Sequence, residues 1–266
     1  MKFILVLLFT AKPLLMASIQ PLASITKELV GEKYRVESLL SGQQNPHTYE
    51  PSPGDIGKVE RAALYFEVGL NLESWGDRMC KVARKCIRVG EILKERGVPI
   101  KNPHIWLDPV KAKKIAGVIV EELVSVFPQD STDFYSNLSK FESRVDSLIS
   151  WTRSKTETLT DKKFISYHPA WEDFAHTLGF DLVDVVVEHG SKEVSTKRLA
   201  EVIKEAKNKG VRVIVVEKGF PSRVPHIIAS EINGRTVELD PLFSGYYVDE
   251  MKKNIENLIK GLRWQK

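Results

Sequence analysis

Short apolar stretches alternate with amphipathic ones along the whole chain. The apolar or alternating stretches, which predict β-strands, occupy residues 13–18, 34–40, 63–68, 86–89, 164–167, 182–187, 211–216 and 236–239. Between them, apolar side chains recur at the spacing of a helix with one buried face. These predicted helices span residues 21–30, 55–61, 73–83, 110–127, 131–159, 170–178, 196–209, 222–232 and 248–262. Strands that alternate with helices favour mostly parallel sheets covered by helices on both faces, so we expect an α/β fold.

One predicted helix is unusually long and lies near the middle of the chain. Residues 131–159 contain neither Pro nor Gly, and apolar side chains recur along one face from Phe134 to Trp151. A helix of about 28 residues is roughly 40 Å long, well above the ordinary length. We expect it to connect two α/β lobes, although a helix packed across a single domain would give the same pattern. The predicted division is a signal segment at residues 1–11, an N-terminal lobe at 12–129, the connecting helix at 130–160 and a C-terminal lobe at 161–266.

The length and composition favour a globular protein that does not bind nucleic acid. A length of 266 residues suits one large domain or two lobes, and a hydrophobic content of 42% is enough for a full core. The net charge is only +4, and the 39 basic residues are scattered without a dense Lys/Arg run. This pattern argues against a nucleic-acid partner.

The first eleven residues predict export. Lys2 precedes the apolar run 3–9, and small residues follow up to Ala11. This order is typical of a short secretory signal, and the run is too short to cross a bilayer. A buried first strand is the alternative. Since the first cysteine is Cys80, no lipidated cysteine follows the segment, so we expect a soluble periplasmic or extracytoplasmic protein, or one held by an uncleaved signal.

The sequence leaves open whether its two cysteines, Cys80 and Cys86, form a disulfide. At a separation of six within one helix they would lie on opposite faces, so a disulfide requires the helix to end between them. We therefore favour two buried thiols, with a disulfide as the alternative.

Three of the six histidines lie in similar loops next to proline. These loops are Asn45-Pro46-His47, Asn102-Pro103-His104 and Tyr167-His168-Pro169, and a fourth, Leu239-Asp240-Pro241-Leu242, supplies a carboxylate. Proline restricts its own backbone and that of its predecessor, so such loops cost less entropy to order. Because ligands of open α/β sheets bind beyond the carboxyl ends of strands, we expect His47, His104, His168 and Asp240 to meet between the lobes. Three imidazoles and one carboxylate form a transition-metal site that suits zinc.

The other polar candidates are weaker. His176 lies inside a predicted helix and His226 near the start of another, so both are expected to be ordinary surface or core residues. His189, in a polar loop, could be a spare ligand or a gate. Glu217 ends a predicted strand, where it either accepts a hydrogen bond from a ligand imidazole or is solvated.

The segments around the four candidate ligands resemble the metal-binding loops of the zinc/manganese substrate-binding proteins of ABC importers. These segments are residues 45–56, 104–109, 168–175 and 239–242, and residues 21–23 and 69–75 also fit. The resemblance follows the chain in order over nearly its whole length. It implies two α/β lobes joined by a long helix, with one metal ion between them held by His47, His104, His168 and Asp240. It also implies delivery of that ion to a membrane permease driven by an ATPase, and we expect the binding protein to be a monomer.

The identity of the metal and the class of protein have alternatives. Among such relatives a histidine at the third ligand tends to accompany zinc and a glutamate manganese, so His168 predicts Zn²⁺ as the transported ligand, with Mn²⁺ or Fe²⁺ as alternatives. A zinc-dependent hydrolase is the alternative from a different class. The chain lacks the His-Glu-x-x-His, Gly-x-Ser-x-Gly and Gly-Lys-Ser/Thr motifs, and four ligands can close the coordination shell, so we predict that it is not an enzyme. A surface adhesin with the same fold is a further alternative.

Overall fold

Two parallel sheets of four short strands organise the chain. The computed structural model describes residues 12–42, 44–187, 194–219 and 223–264. The first sheet has the order β2-β1-β3-β4 and consists of β1 (Leu14–Ala17), β2 (Arg35–Ser38), β3 (Leu64–Glu67) and β4 (Cys86–Arg88). The second has the order β6-β5-β7-β8 and consists of β5 (Lys163–Ser166), β6 (Asp181–Val185), β7 (Val213–Glu217) and β8 (Arg235–Leu239). Every strand pair is parallel, so the prediction of an α/β fold with two lobes is confirmed.

The helices begin and end close to the predicted positions. They are α1 (Gln20–Val30), α2 (Pro53–Arg61), α3 (Gly76–Val82), α4 (Val89–Glu95), α5 (Pro109–Val126), α6 (Ser131–Glu157), α7 (Glu172–Leu178), α8 (Thr196–Lys209), α9 (Val224–Glu231) and α10 (Tyr247–Leu262). Local sequence explains several ends: Ser52 and Asp55 form a capping box at α2, and Asp108 caps α5. Helix α4 was not predicted, because it has only seven residues and Gly90 lies in its first turn.

The long helix α6 lies between the two sheets in the sequence, as predicted. It extends over 27 residues and packs on α1 and α5 of the first half and on α7 and α10 of the second. A helix that contacts both halves can hold them at a fixed spacing. The lobe boundaries at residues 129/130 and 160/161 stay a prediction.

One hydrophobic core extends through both halves. The strands of the second sheet direct alternate residues to its two faces: Phe164 and Val215 belong to the same cluster as Leu15 and Phe66 of the first sheet. A smaller cluster, which includes Ile165, Val202, Ile214 and Ile228, packs on the other face of the second sheet. Because the larger cluster is continuous across the halves, a wide separation of the lobes would expose much apolar surface.

Cys80 and Cys86 form a disulfide, so the expectation of two buried thiols is wrong. Helix α3 ends at Val82, between the two cysteines, and Cys86 is the first residue of β4. Their Cα atoms are 5.1 Å apart, within the range that a disulfide requires.

The predicted signal at residues 1–11 and the candidate His189 lie outside the described residues. Among the helices that are described, none combines the length and apolar character needed to cross a membrane.

Candidate metal centre

Three of the four predicted ligands meet at one point. The Nε2 atom of His104 lies 3.3 Å from Nε2 of His47 and 3.3 Å from Nε2 of His168. Candidate ligand atoms of the three rings all lie within 4.8 Å of one another. In a tetrahedral site with zinc–nitrogen bonds of about 2.05 Å, neighbouring nitrogens are about 3.3 Å apart. The separations at His104 therefore equal those of a zinc-bound imidazole set.

The three histidines come from separate elements of the two halves. His47 lies in the connection between β2 and α2, His104 in the connection between α4 and α5, and His168 directly after β5. His104 is buried, whereas the other two rings are partly exposed. The site therefore depends on tertiary contact between the halves, and neither half supplies three imidazoles.

The two Asn-Pro-His loops share one local structure. The side-chain oxygen of Asn45 accepts a hydrogen bond from the backbone N–H of His47 at 2.9 Å, and Asn102 accepts one from His104 at 2.9 Å. This bond closes a tight turn in which asparagine is favoured. Oδ1 of Asn102 also lies 3.2 Å from Nδ1 of His104. If Nδ1–H donates to that oxygen, Nε2 keeps the lone pair that a metal ion needs.

A bond between the halves fixes the orientation of the Asn102 amide. Its Nδ2 donates to Oε2 of Glu172, the first residue of α7, at 3.2 Å. Asn102 is buried. One amide therefore links the His104 ring to the helix that follows the His168 loop.

Three buried tryptophans brace the loops around the site. The indole N–H of Trp75 donates to the carbonyl of Pro46 at 2.9 Å, and that of Trp106 to the carbonyl of Pro241 at 2.7 Å. The indole N–H of Trp171 donates to Oε1 of Glu217 at 3.0 Å. All three tryptophans lie in the segments that carry the family resemblance, which is the signal that could have identified them.

A strained turn presents Trp75 to the His47 loop. Gly69, Leu70 and Asn71 have φ values of 73°, 57° and 61°, a run of left-handed backbone that is costly for leucine. The buried carboxylate of Glu73 accepts hydrogen bonds from the backbone N–H groups of Val68 and Gly69, both at 3.0 Å. Burial raises the pKa of Glu73 to about 7, against the opposing effect of its hydrogen bonds.

Asp240, the fourth predicted ligand, has other partners. Its Oδ2 accepts a hydrogen bond from Nζ of Lys218 at 3.2 Å, and its Oδ1 accepts one from the backbone of Leu242 at 3.0 Å. The side-chain amide of Asn254 holds the Asp240 backbone through two hydrogen bonds of 2.8 Å: it accepts one from the Asp240 N–H and donates one to the Asp240 carbonyl. Among the described residues, the group of converging ligand atoms contains the three histidines without Asp240. The ligand role of Asp240 stays a prediction. Lys218 is a further residue near the candidate site that the sequence did not reveal.

Glu217 is a buried carboxylate at the edge of the site. It is only 3% exposed, so the alternative of a solvated strand end is wrong. Burial raises its pKa to about 7, while bonds from the Trp171 indole and the His168 backbone act in the opposite direction. Glu217 thus links the Trp171 indole to the end of β7.

The histidines face a small cavity. It has a volume of about 180 Å³, and apolar groups such as Trp106, Ala170 and Leu242 form most of its wall. This is large enough for an ion with a few waters but small compared with the pockets that hold ordinary organic substrates. His176 and His226 lie elsewhere, as exposed residues of α7 and α9.

A second group of potential ligands consists of Glu67 at the end of β3, Cys80 in α3 and Cys86 at the start of β4. Its two sulfur atoms are bonded to each other. They are therefore not thiolate ligands in this form of the protein.

Comparison with known proteins decides the family. The family model described as ZnuA, zinc-uptake complex component A, periplasmic, matches residues 15–261. The chain belongs to this ZnuA family. Its members are metal-binding proteins of transport systems and not enzymes, so the predictions of the family and of a non-enzymatic protein are confirmed.

Relatives of the ZnuA family differ in the metal after which they are named. The chain is 27% identical to the high-affinity zinc uptake system protein ZnuA of Bacillus subtilis (strain 168), over 90% of this chain and 84% of the relative. It is 24% identical to the manganese-binding lipoprotein MntA of Halalkalibacterium halodurans, over 93% and 88%. A crystal structure of ZnuA superposes with a TM-score of 0.84 at 25% identity, covering 95% of this chain and all of that one.

A solved structure with a different name is also similar. A mutant structure of the laminin-binding adhesin Lmb from Streptococcus agalactiae has a TM-score of 0.83 at 25% identity, and covers 94% of this chain and 99% of that one. The fold and sequence of the family therefore occur in proteins described as zinc-binding, manganese-binding and adhesive.

Proposed function

We propose that this chain is the extracytoplasmic substrate-binding protein of an ABC importer, which captures Zn²⁺ between its lobes and delivers it to the membrane permease and ATPase. The observation that carries the proposal is the spacing of 3.3 Å from Nε2 of His104 to Nε2 of both His47 and His168. Membership of the zinc-uptake family supports the transport role.

The ligand set favours zinc over manganese. Imidazole nitrogen suits Zn²⁺, whereas Mn²⁺ prefers more oxygen ligands. His47, His104 and His168 supply three nitrogens, and Asp240 supplies an oxygen at the fourth position once Lys218 releases its carboxylate. Mn²⁺ or Fe²⁺ is the alternative cargo, since one relative is named for manganese.

Capture and release require no covalent chemistry. Protonated imidazole cannot bind a metal ion, so zinc affinity is expected to fall as the pH is lowered. The shared core between the halves limits closure to small movements of the lobes and loops. A bound ion that contacts both halves stabilises the folded chain by mass action.

Thermal unfolding and calorimetry of the metal-free protein test the proposal. Zinc should bind as one ion per chain and raise the melting temperature, and Mn²⁺ should bind more weakly. His104→Ala and His168→Ala should each abolish the zinc-dependent rise, whereas His226→Ala, an exposed histidine of α9, should retain it. A full rise in both site variants, or a clear preference for Mn²⁺, would contradict the proposal.

Adhesion is a second candidate, favoured by the similarity to the laminin-binding protein. Binding of the metal-free and zinc-loaded protein to immobilised laminin would test it. Saturable binding that persists in the His168→Ala variant would support a surface role independent of the metal.

A further inference from the structure

We propose that Lys218 is a built-in competitor of the metal ion for Asp240 and thereby sets both the affinity for the cargo and the preference for zinc. This inference rests on the proposed function, because it concerns the same cavity. It assigns a role to a lysine that forms no part of the predicted ligand set.

The sheet places the two residues side by side. Lys218 directly follows β7 and Asp240 directly follows β8, and these strands pair in parallel with Glu217 opposite Leu239. The backbone N–H of Lys218 continues the ladder by donating to the carbonyl of Leu239 at 2.8 Å. The side chains of the next residues on both strands therefore project from the same edge, where Nζ of Lys218 reaches Oδ2 of Asp240 at 3.2 Å.

The lysine belongs to the cavity of the histidines. Lys218 lines it together with His47, His104, His168 and Leu242. Its side chain is 47% exposed, and that of Asp240 is 28% exposed. The ammonium is thus a hydrated charge on a flexible stem next to the point where a dication would bind.

The backbone of Asp240 is held in place, whereas the side chain of Lys218 can move away from the carboxylate. The second carboxylate oxygen of Asp240 accepts the backbone bond from Leu242, and Asn254 fixes the Asp240 backbone on both sides. An ion pair as exposed as this one is weak. A dication entering the histidine cluster can therefore displace the ammonium, and when the ion leaves, Lys218 can pair with the carboxylate again.

Two consequences follow for the bound ion. The ammonium opposes the entry of any dication, because its charge stays close to the site. It also weakens the one oxygen ligand and leaves the three imidazoles to dominate the donor set. Mn²⁺ depends more on oxygen ligands than Zn²⁺ does, so the lysine should penalise manganese more than zinc.

The test compares Lys218→Met with wild type by chelator-competition titration of Zn²⁺ and Mn²⁺. Removal of a unit charge several ångströms from a dication in a water-like environment should raise the affinity for Zn²⁺ about tenfold. The gain for Mn²⁺ should be larger. Lys218→Arg keeps the charge and should bind neither ion more tightly than wild type does. Lys207→Met, which removes a lysine from an exposed ion pair with Glu231, is the matched control and should change neither affinity.

Asp240→Asn separates the proposed mechanism from a general charge effect. In the Lys218→Met background it should reverse most of the gain for Mn²⁺. If Lys218→Met leaves both affinities within twofold of wild type, the inference is wrong even though wild-type zinc binding still supports the proposed function. If wild type itself binds neither ion, the proposed function fails first.

Discussion

The two Asn-Pro-His loops have the same sequence and the same internal hydrogen bond, yet the protein anchors them differently. The first loop is held from outside, where the Trp75 indole binds the carbonyl of Pro46. The second is held through its own asparagine, whose amide binds Glu172 of the other half. An identical tripeptide thus encodes the turn but not the contacts that fix the imidazole in place.

The difference matters because the second loop carries the central ring of the site. His104 is buried, and its Nε2 atom lies 3.3 Å from the Nε2 atoms of His47 and His168. Its Nδ1 faces Asn102 at 3.2 Å, whereas Asn45 contacts the backbone of His47. We therefore expect the second loop to control metal affinity. The position of the first loop should depend more on the stability of the residues that hold it, such as Trp75.

The largest expected effect is on the free energy of unfolding, and it comes from Glu73, which holds the turn that presents Trp75 to the first loop. The pKa of Glu73 rises from 4.5 to about 7 because the side chain is buried. Between these pH values the folded chain keeps a proton that the unfolded chain has released, so stability falls as the pH rises. Glu73 by itself accounts for about 3 kcal/mol of the loss in the free energy of unfolding, measured as the difference between wild type and Glu73→Gln in urea unfolding of the metal-free protein. Glu73→Gln, which cannot ionise, should lose this part of the pH dependence.

Glu91 offers the control for that measurement. Its carboxylate binds the same turn through the backbone N–H of Leu70 at 2.9 Å. Glu91→Gln should retain the decline in stability between pH 4.5 and 7. A decline of equal size in Glu73→Gln would show that other groups cause it.

The next largest effect compares the two asparagines directly. Asn102→Ala removes the group next to Nδ1 of His104 and should weaken zinc binding about 10- to 100-fold, the usual result of losing a partner behind a metal-bound histidine. Asn45→Ala removes the turn bond to the His47 backbone and should weaken zinc binding less than about fivefold. Calorimetric titration with Zn²⁺ measures both. Equal losses would mean that the shared turn, and not the contact with the ring, decides affinity.

The smallest effect tests the link between the halves. Glu172→Ala removes the acceptor of the Asn102 amide and should weaken zinc binding about two- to tenfold, as expected for one hydrogen bond. The double variant Asn102→Ala/Glu172→Ala should be no worse than Asn102→Ala alone, because both changes break the same connection. Strictly additive losses in a double-mutant cycle would rule out the connection.

Local pattern predicted most of the fold and the three converging histidines. Periodicity and helix caps such as Asp108 depend on residues close in sequence, which is why the bounds of α5 and α6 agree with the prediction to within a few residues. The proline loops likewise marked His47, His104 and His168 from their immediate neighbours. The resemblance to known metal-binding loops added the expectation that these three histidines hold one metal ion.

Contacts set by strand register and tertiary packing were not predictable in the same way. The pair of Lys218 and Asp240 depends on the alignment of β7 with β8, and nothing in the local sequence of either residue indicates it. The Cys80–Cys86 disulfide depends on where a short helix ends, and that end was predicted only one residue too late, at residue 83. The indole bonds of Trp75 and Trp106 similarly join residues far apart in the chain.

The hydrophobic core common to both halves has a practical consequence for anyone who builds a metal-ion sensor from this protein. Fluorophores attached to the distant ends of the two halves would move little relative to each other, because that core resists separation. A single environment-sensitive dye at the rim of the histidine cavity, near Leu242, would report loading through its local surroundings instead.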